Sequence, residues 1–334
     1  MTVVRTFLTV AFFLAASLPV HPEGEKVKLN AYAEYHLGEI LVVDGQQVRT
    51  DRNTEFKGDN IGNLRSIPLG FEVKVRGRRL PDGSILATRV EAKPNGMQMF
   101  EADVLKATNL IEREWVKDGV MFDQGQEGDR KDIGKIQERG NQVSRARLIM
   151  KKLVPPYVVQ EDLRVRVVET KEWNASAMGN GAIWVYSGLM KDMSDDELAI
   201  ILGHELAHYT HEHSRRGAKQ RFWAQLFGLG GMVAAEALDG KKGTAVGIAS
   251  LLGMTVWSSG YSRDMEDQAD RVGLRYVSQA GYNVHAGPQL WSRFREKYGE
   301  ADVISNFFIG SHSRASDRIK NLEQEISINY RTPR

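Results

Sequence analysis

No cysteine occurs among the 334 residues, which excludes disulfides, thiol nucleophiles, thiolate metal sites and an acylated lipoprotein cysteine. Any bound metal must be held by His, Asp or Glu. A dominant charge is missing too: 45 Lys and Arg against 43 Asp and Glu leave a net +2, so bulk charge gives no attraction to nucleic acid. Nor is there an aromatic or basic stripe of the kind that binds single strands or polysaccharide. Apolar runs fall short of the ~20 residues that span a bilayer. What remains is globular composition, 42% hydrophobic and 26% charged, in a chain long enough for one large domain or two modest ones.

Residues 1–20 read as a signal peptide. Arg5 precedes the apolar run Phe7 to Val20, and Ala15, Ala16 and Ser17 offer a cleavage site. The rest of the chain is then expected outside the cytoplasm, periplasmic or secreted, with an uncleaved membrane anchor as the alternative. Residues 31–94 follow period two: Gly38 to Val43, Gln47 to Thr50, Gly70 to Arg76 and Ile85 to Val90 cluster β-branched residues, and Asp44-Gly45 and Asp82-Gly83 are hairpin dipeptides. A small, separate all-β module is expected. The text "SIPLGFEVKVRGRRLPDGSILATRVEA" resembles a short, OB-like β-barrel module that recurs in exported bacterial proteins. It is either a binding module or a stabilising appendage.

Residues 95–131 read as a connector, turn-rich at Lys93-Pro94-Asn95-Gly96 and polar from Gly119 to Lys131. From Ile133, apolar side chains at Ile136, Val143, Ala146, Met150 and Leu153 suggest one amphipathic helix, ended by Pro155-Pro156. Leu163 to Val168 and Ala182 to Tyr186 read as strands.

Chemistry concentrates after Ser194. Ser194 and Glu197 form a capping box ahead of Leu198, Ile201 and Leu202, so a buried helix starts before His204-Glu205-Leu206-Ala207-His208. Two histidines four apart share one helical face and can grip one metal ion, with Glu205 beside them as a base for water. Zinc suits such ligands, and a catalytic site needs three of them. Downstream, Glu266 and Asp270 are again four apart. They supply either a third ligand with an orienting partner or, with Asp264 and Asp267 in the same run, a surface charge cluster.

Four ordered segments carry a resemblance over residues 132–330: "NASAMGNGAIWVYSGLM", "DDELAIILGHELAHYTHEH", "SRDMEDQAD" and "SHSRASDRI". The chain resembles the gluzincin endopeptidases that include the HtpX type, the CAAX prenyl endopeptidases and soluble periplasmic members with outer-membrane quality-control roles. The resemblance implies zinc held by His204, His208 and Glu266, with Glu205 as base and Asp270 orienting a ligand. It also implies that Asn174 and the strand carrying Ala182, Ile183 and Trp184 line the cleft, where an edge strand pairs with an extended peptide. A late pair, His312 and Arg318, is implied to face the metal and stabilise the oxyanion; relatives usually have proline where this chain has Ser313.

His213 fits the family pattern but falls on the helical face opposite His204, which gives it a structural reading. His21, His36, His211 and His285 have no ligand spacing and read as ordinary surface or core histidines. Phe222 to Leu238 and Thr244 to Trp257 form an apolar hairpin, read as a buried helical pair, with peripheral membrane contact through 222–257 as the alternative.

The fold class expected is α+β: a small all-β OB-like domain, then a mainly helical zincin-type metallopeptidase domain with a small sheet over 132–334. The function expected is hydrolysis of internal peptide bonds in unfolded or membrane-associated proteins, without nucleic acid. The alternative is a metal-binding chaperone or scaffold with little turnover; Glu205, which a scaffold does not need, favours the enzyme.

Overall fold

The computed structural model describes residues 24–97, 101–122, 131–228, 261–306 and 315–330. The expected signal peptide, His312 and most of the 222–257 hairpin lie outside these residues. The fold is mixed α/β with two six-stranded sheets.

The first sheet uses β1 (Lys26–Leu37), β2 (Ile40–Val43), β3 (Gln46–Arg49), β4 (Glu55–Lys57), β5 (Glu72–Arg79) and β6 (Ile85–Lys93). Its antiparallel order β3-β2-β1-β5-β6 is closed by a parallel pairing of β3 with β6, and β4 lies on the outer side of β6. The Asp44-Gly45 dipeptide turns β2 into β3 with φ of 51° and 67°, as type I′ geometry requires. Alternate residues such as Val73, Val75, Val90 and Ala92 fill the interior, the result of period-two patterning.

The next elements are α1 (Glu101–Trp115), β7 (Val116–Lys117), β8 (Val120–Phe122), β9 (Asp132–Gln137), α2 (Asn141–Leu153), β10 (Arg164–Val168), β11 (Ala175–Ala177) and β12 (Ala182–Tyr186). Then come α3 (Ser187–Asp192), α4 (Asp195–Thr210), α5 (His213–Gly228), α6 (Arg263–Gln279), α7 (Ala286–Asn306) and α8 (Ala315–Asn329). The second sheet runs β11-β12-β10-β9-β8-β7. Among the described residues no helix is long and apolar enough to cross a membrane.

Three expectations are corrected here. The 95–131 stretch is not a bare connector, because α1 packs through Glu112, which accepts from Arg164, Arg166 and Asn180, and β7 and β8 extend the second sheet. The helix expected from Ile133 starts only at Asn141: Gly140 takes φ 117°, open to glycine alone, and Ile133 and Ile136 belong to β9. The front module begins earlier than residue 31 and is not separate. Along β1, Ala33 pairs with Val43 and Tyr35 with Val42, so Glu34 is the extra residue of a β-bulge. A bulge re-aims side chains: Ala33 and Val43 stay in the interior of the first sheet, whereas Tyr35 and Val42 join the core of the helical unit.

Helices α4 and α6 cross at their two glycines. A Cβ on Gly273 would stand 2.8 Å from the His204 backbone nitrogen and 2.9 Å from the Gly203 carbonyl carbon. Neither neighbour is a side chain that can turn aside, so the backbones depend on the missing methyl. Gly273→Ala gains about 1 kcal/mol of helix propensity but is expected to lose more through overpacking, about 1 to 3 kcal/mol. Thermal unfolding checks this; a melting temperature at or above that of the wild type would show that the crossing tolerates a side chain.

Candidate metal centre

Helix α4 starts from a reciprocal cap: Ser194 Oγ accepts from the Glu197 amide at 3.3 Å, and Glu197 Oε2 accepts from the Ser194 amide at 2.9 Å. From Leu198 to His208 every residue is buried. His204, Glu205 and His208, at 3%, 2% and 1% exposure, are therefore interior groups and not the polar face of a surface helix.

The crossing sets this face against Glu266 and Asp270 of α6, which starts at the Ser262 cap. His204 Nε2 lies 2.9 Å from His208 Nε2 and 3.3 Å from Glu266 Oε2, and His208 Nε2 lies 3.4 Å from Glu266 Oε1. One ligand atom from each of the three falls within 4.8 Å of the others. Asp264 is exposed, and Asp267 accepts from Asn321 at 2.9 Å, so neither joins them.

Each imidazole is held by its far nitrogen. His204 Nδ1 is 2.9 Å from Asp270 Oδ1, and His208 Nδ1 is 2.7 Å from His213 Nδ1. Both Nε2 atoms thereby face each other and Glu266, where a shared ion would sit. Tyr261 stacks on the His208 ring at 4.0 Å between centroids. Glu205, Glu266 and Asp270 are three buried carboxylates beside one fully buried guanidinium, Arg318. Two imidazoles and a carboxylate, surrounded by excess buried negative charge, fit a divalent cation such as zinc with a position open for water.

Arg318 stands against the ligand set, its Nη2 2.8 Å from His204 Nδ1 and its Nη1 3.8 Å from Glu266 Oε2. It is 0% exposed, stacks on Trp291 with Cζ 3.7 Å from the ring, and gives Nε and Nη2 to the two oxygens of Asp270. Burial would raise the Asp270 pKa, but the Arg318 guanidinium keeps it below the usual range. At His204, burial and Arg318 act downward, yet the carboxylates of Asp270 and Glu266 raise its pKa to about 9.

His213 does not point away. Helix α4 ends at Thr210, and Glu212 takes φ 55°, so the chain reverses and the helical-face count no longer applies. His213 is fully buried, which pushes its pKa well below the ordinary value and keeps the ring neutral. His211 meets the expectation of a core histidine, its Nε2 donating to the Glu34 carbonyl at 3.1 Å; burial lowers it to about 4.

The strand at Ala182, Ile183 and Trp184 is not an edge. β12 pairs with β10 on one side and β11 on the other, and all its residues are buried. Among the described residues the edge facing α4 is β11, and Asn174 stands just before it, its carbonyl accepting from the Tyr186 amide at 2.9 Å. Sequence reasoning gave no role to Gln268, although it lies inside the SRDMEDQAD segment, nor to Tyr261 and Trp291, which gain their places only by tertiary packing.

Comparison with known proteins bears on the same region. The family described as "Peptidase family M48" matches residues 141–326, and "Domain of unknown function (DUF5666)" matches 38–91. Metalloprotease YcaL of Escherichia coli is 36% identical over 166 residues, 48% of this chain and 61% of its own length. A Vibrio cholerae protein that carries the name of a beta-barrel assembly-enhancing protease is 29% identical over 162 residues, 47% of this chain and 33% of its own. The mitochondrial metalloendopeptidase OMA1 of Bos taurus is 30% identical over 168 residues, 48% and 32% respectively. The chain thus covers about a third of two of these relatives and less than two thirds of the other.

A proton on His204 competes with a metal for the same imidazole. With the pKa at about 9, metal uptake at lower pH must displace that proton. Apparent zinc affinity should therefore fall about tenfold for each pH unit below that value, the slope for one displaced proton. Chelator competition at three pH values measures it, and a flat profile would contradict the electrostatics described.

Proposed function

Because the chain belongs to peptidase family M48, we propose that it is a zinc-dependent endopeptidase, with His204, His208 and Glu266 as ligands and Glu205 as general base. The observation that carries this reading is the convergence of the three ligand atoms within 4.8 Å on a buried helix that also bears Glu205. Zinc bound there would polarise a peptide carbonyl and make water acidic enough to attack it near neutral pH. Glu205 takes the proton from that water and delivers it to the leaving amine as the C–N bond breaks. Asp270, braced by Arg318, keeps the His204 proton on Nδ1. An extended substrate is aligned by main-chain hydrogen bonds to the edge strand β11, which gives loose side-chain selectivity.

Within the family, the four sequence segments favour kinship with the HtpX and CAAX prenyl endopeptidase branch. The closed pairing circuit β1-β2-β3-β6-β5 supports an OB-like barrel for the front unit, joined to a zincin-type peptidase unit that takes in α1, β7 and β8. The apolar segment near the start favours an exported, periplasmic protein. The name of the Vibrio cholerae relative makes unfolded outer-membrane proteins the substrate class to test, in an envelope quality-control role.

Proton transfer needs the Glu205 carboxylate; holding zinc does not. Glu205→Gln is therefore expected to keep full zinc occupancy and to lose casein hydrolysis by about a hundredfold or more. Unchanged turnover would remove Glu205 from the mechanism.

A further inference from the structure

The front unit supplies none of the ligands, yet one of its residues reaches the metal centre. Glu34, placed by the β1 bulge, is 1% exposed. Its Oε1 accepts from Arg271 Nη2 at 2.6 Å and Gln268 Nε2 at 3.1 Å. Its Oε2 accepts from Arg271 Nε at 3.2 Å and from the Gly45 amide at 3.0 Å. Gln268 sits on α6, between Glu266 and Asp270, and its Oε1 meets Arg216 Nη1 and, at 3.0 Å, His213 Nε2.

The proton positions along this path follow from which groups can only donate and which can only accept. Guanidinium only donates and carboxylate only accepts. Arg216 therefore fixes the carbonyl end of the Gln268 amide, and Glu34 fixes its NH2 end. A carbonyl facing His213 Nε2 requires the proton on that nitrogen, and the Arg216 guanidinium on the same amide oxygen opposes a second proton on the ring, so Nδ1 is the end that accepts. The partner of that acceptor, 2.7 Å away, is His208 Nδ1, which must then carry a proton. With its proton on Nδ1, His208 presents the lone pair at Nε2 toward His204 and Glu266.

The geometry points to Glu34 as a positioning residue for the metal site: through Gln268 and His213 it sets the tautomer of His208, which makes the β unit a working part of the centre. This rests on the zinc reading given above and adds a second control to it. Asp270 orients His204 from within the helical unit, and Glu34 orients His208 from the other.

The test uses the full chain. Gln268→Met removes the relay but leaves the Glu34–Arg271 pair in place. The double variant Glu34→Met with Arg271→Met takes out the buried ion pair as a unit, so that no uncompensated charge threatens folding. Asp44→Asn, a solvent-facing partner of Arg271 at 3.4 Å, serves as control. Zinc affinity is read by chelator competition, and the His208 tautomer by NMR of the metal-free protein with 15N-labelled histidine. Both relay variants should bind zinc about tenfold more weakly and lose the single Nδ1-protonated state of His208, while Asp44→Asn matches the wild type. Wild-type affinity and an unchanged His208 spectrum in the relay variants overturn the inference, as does an equal loss in Asp44→Asn. A wild-type chain that binds no zinc overturns the zinc reading as well.

Discussion

The approach of α4 to α6 at Gly203 and Gly273 is the constraint on which the centre depends. The Cβ positions there meet backbone atoms at 2.8 to 3.0 Å. Only with the helices this close do His204 and His208 meet Glu266 and Asp270, 58 residues or more farther along the chain. Helix packing and ligand geometry are thus one problem. A side chain at Gly273 would have to push the two backbones apart, and with them the two halves of the donor set.

Assembling the donor set buries charge, and the remaining structure answers that cost. Carboxylates withdrawn from water need donors or a cation. Asp270 receives both arms of Arg318, whose other face lies on Trp291. Glu34 receives Arg271, whose own pKa is raised by that partner although burial works against it. His204 and His208, the proposed ligands, are each held from behind by a further residue, Asp270 and His213, so both imidazoles are oriented by the folded protein itself.

The chemistry-bearing helices were legible in the sequence because local rules decide them. The Ser194 cap, the four-residue spacing of His204 and His208 and the shared face of Glu266 and Asp270 all follow from a 3.6-residue turn. What was not legible depends on single backbone departures. The positive φ at Glu212 returns His213 to the site, and the bulge at Glu34 turns Tyr35 from one core to another. Gly140 splits one apparent amphipathic helix into a strand and a helix. For Arg318 only the family resemblance speaks in the sequence; its complete burial between Asp270 and Trp291 is a tertiary fact. The edge position passed from β12 to β11 for the same reason, since strand order is set by packing and not by local pattern.

In the proposed centre two imidazoles and one carboxylate hold zinc while His213 stays in the surrounding hydrogen-bond shell. Zinc K-edge X-ray absorption on the purified, metal-loaded protein tests it most directly. Two nitrogen scatterers with imidazole signatures and two oxygens, one carboxylate and one water, are expected, all at about 2.0 to 2.2 Å. Three imidazoles at the metal, or a shell of oxygens alone, would contradict it.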